Sequence, residues 1–395
     1  MARFLLGINY WPRTSAMSMW ERFDERELDA DFALVASLGF ECVRFFMLWQ
    51  HFQPQPDRTS ATALAQLERV MEALARRGLA AMPTFFTGHM SGVNWLPSWT
   101  LDAQRGCGRF RTLTENGFSD LGIGDFYTGT LLQAQRDHVR TVGARLRGHP
   151  SLYAWDLGNE FSNLRAPASV QESDRWSSVL TADLIETSGT GATAGTHGED
   201  LSQDRNIRPS SMCAPLCFPT MHGYSVYSDF ARTKDDPQVV PFLCELTRSF
   251  SGRPVLFSEF GSPTCPPTKV EAASYACLTE TEMCPYALHV LDGLHAGGAL
   301  GAFWWCFADY DLALKDRPPF DCAPHELTFG IVRSDGSLKP VAATLSGFAG
   351  ERRQVKRPAA GALLAVESAY YADLPRSPTE AYQRYTTARE RTSPW

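Results

Sequence analysis

Eight short apolar runs alternating with longer segments of helical periodicity constrain this chain more than any other feature. The predicted strands are Phe4–Asn9, Cys42–Phe46, Leu79–Phe86, Leu152–Leu157, Thr190–Thr196, a short run starting at Thr220, Val255–Glu259 and Ala299–Trp305. Between them the spacing predicts helices at Glu27–Leu38, Ala61–Arg77, Tyr127–Arg147, Ser173–Glu186, Asp236–Phe250 and Ala272–Ala296. Leu28, Phe32, Val35 and Leu38 form the apolar face of the first helix, and Gly39 and Gly78 stop the first two. Eight strands alternating with helices predict an α/β fold, a single-domain (β/α)8 TIM barrel with long βα loops and its functional groups at the carboxyl ends of the strands. Residues 1–350 are expected to form the barrel and 351–395 a C-terminal extension. Within that extension Ala359–Ala369 is apolar enough to pack on the barrel, whereas Pro375–Trp395 is polar and expected to be partly disordered.

Two of the predicted strands end in a glutamate. The run that leads into Trp155-Asp-Leu-Gly-Asn-Glu-Phe161 delivers Glu160, and Pro254-Val-Leu-Phe-Ser-Glu-Phe-Gly261 delivers Glu259. Carboxylates at the ends of buried strands need partners, and a pair of them suits reactions in which one carboxyl group gives a proton and the other attacks. The segment Thr87–Asp125, rich in Gly, Trp, Asn and Pro, is too long for a neutral connection and reads as a functional loop.

Charge and composition narrow the partners. A formal net charge of −7 without like-charge blocks leaves no footprint for nucleic acid, and a neutral polar substrate fits better. The amino terminus has too few apolar residues before Asn9 for an export signal or a membrane span, so a cytoplasmic, membrane-free protein is expected. Ten cysteines are scattered, and several, including Cys42, Cys244 and Cys306, lie in apolar runs where free buried thiols are common. Cys213, Cys217, Cys265, Cys277, Cys284 and Cys322 contain no tight Cys-x-x-Cys pair, so neither a metal nor a cofactor is expected.

The Asn-Glu of LGNEF on strand four, the Glu of LFSEFG on strand seven, the Arg of VRFF on strand two, HGYS on strand six and FWW on strand eight together resemble the clan A retaining glycoside hydrolases, closest to family 5. The resemblance covers about residues 4–345, and GINYWP followed by VRFFMLWQHFQP is similar to the bacterial β-mannosidase branch of that family. It implies that Glu160 is the acid/base and Glu259 the nucleophile, with burial and the neighbouring charge raising the pKa of Glu160 while donors keep Glu259 ionised. It further implies that Arg44 places a positive charge near the nucleophile, that Asn159 donates to the sugar 2-hydroxyl, that Tyr224 hydrogen-bonds Glu259 and that His222 lines the site. Trp304 or Trp305 would form the apolar floor under the sugar.

Further sugar contacts are expected from His89, Asn94, Trp95 and Trp99 in the long loop, and from Asn9, Tyr10, Trp49 and Gln50 after strands one and two. Asp309 and Asp311 either bind hydroxyls or cap a turn. The resulting expectation is an exo-acting β-mannosidase on short β-mannosides. β-Glucoside or β-galactoside hydrolysis, endo action as in a mannanase or glucanase, a zinc-dependent barrel hydrolase and a catalytically silent carbohydrate-binding barrel are the alternatives, and oligomeric state is left open.

Overall fold

A computed structural model describes residues 2–265, 277–357 and 365–392. Its central sheet consists of β1 (Leu5–Tyr10), β2 (Cys42–Leu48), β3 (Ala80–Thr87), β4 (Trp155–Asn159), β5 (Ala192–Gly195), β6 (Thr220–His222), β7 (Leu256–Phe260) and β8 (Gly301–Trp304). All neighbours pair in parallel, in the order β5-β4-β3-β2-β1-β8-β7-β6. The two ends of that order meet through a parallel bridge between His197 and His222, the Cys217 amide on the Ala192 carbonyl at 2.8 Å and the Thr196 hydroxyl on the Thr220 carbonyl at 2.6 Å. The sheet is therefore an eight-stranded barrel, as the alternation predicts.

Helices cover its outside: α1 (Glu25–Ser37), α2 (Ala61–Arg76), α3 (Gly129–Arg145), α4 (Val170–Ser188), α5 (Val239–Ser251), α6 (Glu280–Ala296) and α7 (Pro340–Gly350). Local chemistry sets their starts. The Asp24 side chain accepts from the Arg26 and Glu27 amides at the head of α1, and Thr279 with Glu282 forms a reciprocal cap on α6. Such caps contribute about 1 kcal/mol each. The predicted start of the sixth helix, Ala272 to Ala276, lies outside the described residues.

Period-two alternation sorts the barrel interior into layers. Cys42, Met82, Ala154, Phe218, Leu256 and Phe303 form an apolar cluster near the strand starts. Two residues further along the same strands stand Arg44, Thr84, Asp156, Thr220, Ser258 and Trp305, all buried. A barrel with an apolar base and a polar upper layer thus aims its ionisable groups toward the carboxyl ends of the strands.

Three segments differ from the sequence expectation. The fourth strand runs from Trp155 through Asn159 rather than starting at Leu152, which makes only an isolated parallel bridge to Ala81, with the Tyr153 amide on the Ala81 carbonyl at 2.9 Å. The long loop after Thr87 carries strands at His89–Met90, Val93–Trp95, Leu101–Gly106, Arg111–Thr114, Gly117–Ser119 and Leu121–Ile123, an excursion paired antiparallel except for the parallel pair Val93–Trp95 with Arg111–Thr114. Cys265 and Cys277 form a disulfide, where free thiols were expected, while the other eight cysteines are free. That bond removes two of the six sulfurs weighed as zinc ligands.

In the tail, Arg376–Thr392 is a helix, α8. Its Tyr382 and Tyr385, three apart on one face, pack against Phe242 of α5 at ring distances of 5.1 and 5.5 Å, and the Tyr382 hydroxyl donates to Asp236 at 2.6 Å. Few apolar residues suffice for this docking, which is why the segment reads as polar. Most of the apolar stretch Ala359–Ala369, up to residue 364, lies outside the described residues. No described helix is long and apolar enough to cross a membrane.

Candidate active site

Arg44 organises the upper layer of the barrel. It sits in the middle of β2, a wholly buried strand, so its charge must be met from neighbouring strands. Asp156 of β4 pairs with it at 2.7 Å, and Asp156 also accepts from Thr84 at 3.1 Å. Asn9 and Asn159 each accept from the guanidinium at 3.0 Å, and Nη1 pairs with Glu259. Asn9 in turn donates to the Ser258 carbonyl at 2.9 Å and the Trp304 carbonyl at 3.1 Å, which ties β1 to β7 and β8. The close fit excludes side chains nearby: a Cβ on Gly195 would stand 2.4 Å from the Gly158 carbonyl oxygen and 3.1 Å from both Arg44 Nη2 and His222 Cε1.

Glu259 is turned into this layer by a register irregularity between β7 and its neighbours. Its second oxygen accepts from the Tyr224 hydroxyl at 2.8 Å. Glu160 follows β4 in the left-handed backbone region, with φ of 45°, a conformation that costs a non-glycine residue roughly 1–2 kcal/mol. His222 Nδ1 lies 3.3 Å from Glu160 and 3.4 Å from Glu259. Burial and the nearby Arg44 push the His222 pKa well down, and its Nδ1 hydrogen-bonds Glu160 while standing close to Glu259. An oxygen of Glu160 and one of Glu259 lie within 4.8 Å of each other.

The two glutamates sit in different fields. Burial raises both, but at Glu259 the Arg44 charge and the Tyr224 hydroxyl oppose it, leaving the pKa at about 7. Glu160 is carried well above the ordinary carboxyl value by burial and then by the charge of Glu259, with Arg44 only partly compensating. Its side chain keeps 18% of its surface open to the cleft, and bound substrate would complete its desolvation. Glu259 ionises first and Glu160 holds the proton. The donors around Glu259 lower its pKa relative to Glu160, yet burial keeps it above the usual carboxylate range.

These groups open into a cleft of about 870 Å³, lined by His89, Asn159, Glu160, His222, Tyr224, Glu259 and Trp305 among others. Asn159 donates one amide hydrogen to the His89 carbonyl at 2.9 Å, which leaves its second for a ligand. Trp305 faces the cleft, whereas Trp304 points the other way, fully buried against Phe260 with its indole on the Phe329 carbonyl at 3.3 Å. Trp49 is likewise core, packed against Phe86, Trp99 and Phe126 and bonded to Gln53 at 2.8 Å. Asn9 lies beneath the cleft and touches Arg44 rather than the opening.

The remaining expectations divide similarly. Asn94 braces His89 at 2.8 Å, while Trp95 and Trp99 anchor the excursion through Met90 and Gln53 carbonyls. Tyr10 bonds Asp31 at 2.8 Å, and Gln50 lines a separate, smaller cavity. Asp309 pairs with Lys339 at 2.7 Å, and Asp311 caps a turn through the Ala313 amide.

Sequence reasoning missed Asp156, Asn163 and His197. Asn163 donates to Glu160 at 3.2 Å, and His197 approaches it to 3.8 Å. Asp156 carried a usable signal, since an acid inside the apolar run of WDLGNEF demands a cation. Glu160, His222 and Glu259 could present three ligand atoms to a metal, but the Arg44 guanidinium already neutralises Glu259 in that space, which disfavours a cation.

Two strand-end glutamates, one of them paired with a buried arginine, on a (β/α)8 barrel are the arrangement of the family 5 kind of glycoside hydrolase, which this chain resembles. The likeness extends to solved structures. An exo-beta-1,4-mannosidase, Op5Man5, from Opitutaceae bacterium strain TAV5 is 25% identical with a TM-score of 0.74, the match covering 89% of this chain and 60% of that one. This chain thus spans less than two thirds of that protein's length. A GH5_18 variant from Streptomyces cattleya in complex with Manb1-4GlcNAc is 20% identical with a TM-score of 0.80, covering 98% of this chain and 92% of that one. A beta-galactosidase from Marinomonas ef1 shares the fold at 14% identity, 88% and 59% coverage and a TM-score of 0.62. No family model and no curated protein matches the chain.

Proposed function

We propose that this protein is a retaining exo-β-glycosidase that removes terminal β-mannosyl residues from short oligosaccharides. The observation that carries the mechanism is the separation of Glu160 and Glu259, whose nearest oxygens lie within 4.8 Å. Retaining enzymes hold their carboxyl groups about 5–5.5 Å apart, and inverting ones about 6.5–9.5 Å to admit a water. Glu160, the better proton holder, protonates the leaving oxygen as ionised Glu259 attacks the anomeric carbon, and Glu160 then activates the water that releases the sugar. Arg44 and Tyr224 keep the nucleophile ionised and aimed, and Asn159 offers its free amide hydrogen to the 2-hydroxyl.

Mannoside specificity is supported by the mannosidase and the Manb1-4GlcNAc complex among the similar structures. Exo action is supported by the walls of the cleft: the excursion supplies His89, Ser91 and Phe110, the segment after β8 supplies Ala323 and His325, and α8 supplies Thr379. A cytoplasmic location fits the eight free cysteines, and secretion with the Cys265–Cys277 disulfide formed would overturn it.

The test is hydrolysis of para-nitrophenyl β-mannoside, β-glucoside and β-galactoside by the wild type and by Glu259→Ala, with and without azide. Mannoside cleavage, loss of several orders of magnitude in the variant and azide rescue with inverted anomeric configuration support the proposal. Preference for another aryl glycoside overturns the sugar, and cleavage of a β-linked polymer alone overturns exo action.

A further inference from the structure

The cleft contains a third carboxyl group that the mechanism does not use. Glu326 lies on the short turn Pro324–Thr328 after β8 and lines the cleft together with Trp305. Ser91, at the tip of the excursion, donates to its Oε2 at 3.0 Å, and Tyr227, after β6, donates to its Oε1 at 3.4 Å. Trp305 lines the same stretch of the cleft. Glu326 thereby joins three separate loops around the ring that would floor the sugar.

Both donors are neutral, and burial lowers the pKa of the His325 ring that stands 3.7 Å from Oε1. A nearly buried carboxyl group held by neutral donors is a costly element for stability alone, and burial raises its pKa to about 7. A carboxylate offers about four acceptor sites, so the two protein donors leave room for a hydroxyl of a ligand. Position indicates which ligand. The Trp305 ring meets Phe46 at 5.7 Å, and the Arg44 guanidinium that holds Glu259 lies 4.7 Å over the same Phe46 ring, so Trp305 stands on the side of the attacking carboxylate and, with Glu326 lining the cleft beside it, belongs to the sugar that is transferred.

Resting on the glycosidase reading above, we propose that Glu326 is a specificity-determining residue whose carboxylate accepts a hydrogen bond from a hydroxyl of the terminal sugar stacked on Trp305. A chain extended through that hydroxyl would lose the donor and meet the turn Pro324–Thr328. Glu326 would in this way select an unsubstituted non-reducing end.

The test compares wild type, Glu326→Gln and Glu326→Ala on para-nitrophenyl β-mannoside and its 4-deoxy and 6-deoxy analogues. The wild type should lose roughly 10- to 100-fold in kcat/KM on one analogue, the size expected for a hydrogen bond to a charged group. Both variants should lose a similar factor on the parent and little more on that analogue. Equal losses by the variants on all three substrates indicate a purely structural residue and overturn the proposal. A wild type indifferent to both deletions overturns it as well, without any variant having to fold. If no aryl glycoside is cleaved, the glycosidase reading fails separately, and mannose binding read by tryptophan fluorescence still decides Glu326. Weaker binding by Glu326→Gln supports the role, and equal affinity or no binding by either protein overturns it.

Discussion

Asp156 holds the Arg44 guanidinium at 2.7 Å inside the barrel, and the opposite edge of the same guanidinium carries Glu259. One cation thus serves a carboxylate that fixes its place and another that faces the cleft. Replacing Arg44 with Met leaves two buried acids unpaired, and loss of one partner from a buried pair typically costs about 3–5 kcal/mol. We expect Arg44→Met to lower the unfolding midpoint in urea by a corresponding amount and to abolish turnover. Asp156→Asn, which keeps a hydrogen-bond acceptor, should retain more stability than Arg44→Met.

Tyr224 donates to Glu259 at 2.8 Å, favouring its charged form. On the retaining mechanism proposed above, activity requires Glu259 ionised and Glu160 protonated, so kcat/KM should rise as pH approaches about 7 and fall again when Glu160 loses its proton at higher pH. These limbs belong to the coupled pair. Tyr224→Phe removes a donor to the ionised form, so the rising limb should move to higher pH, with a loss of roughly 10- to 100-fold below it. A pH profile unchanged in shape would remove Tyr224 from this role.

Glu160 should cost stability at neutral and alkaline pH. Its folded pKa lies above the unfolded value, so between the two the folded state binds more protons and stability falls as pH rises. Glu160→Gln removes this dependence. Thermal melts should show the variant more stable than wild type above pH 7 and the advantage gone near pH 4, while its kcat on substrates with poor leaving groups collapses.

Adjacent tryptophans should behave oppositely. Trp304 is fully buried among core side chains, and truncation of such a residue to Ala costs about 3–5 kcal/mol. Trp305 lines the cleft. Trp304→Ala should therefore lower the melting temperature, and Trp305→Ala should chiefly raise KM. Parallel melts and kinetics separate the two.

The alternation of apolar runs and amphipathic segments, read from the chain alone, determined the barrel and the strand-end location of Glu160 and Glu259, because secondary-structure period and burial are local properties of sequence. The resemblance of VRFF, LGNEF and HGYS to family 5 motifs, rather than the alternation, singled out Arg44, Asn159, His222 and Tyr224, all of which the fold brings together. Local pattern could not determine what depends on register. Whether Trp304 or Trp305 turns inward follows from the phase of β8, in which Phe303 points into the barrel base and the second residue on points into the cleft. The core location of Trp49, the place of Asn9 beneath Arg44, the disulfide between Cys265 and Cys277 and the docking of α8 through Tyr382 and Tyr385 all depend on contacts between distant segments. So does the reach of Ser91 to Glu326 across 235 positions, a meeting of two loops that only closure of the barrel creates.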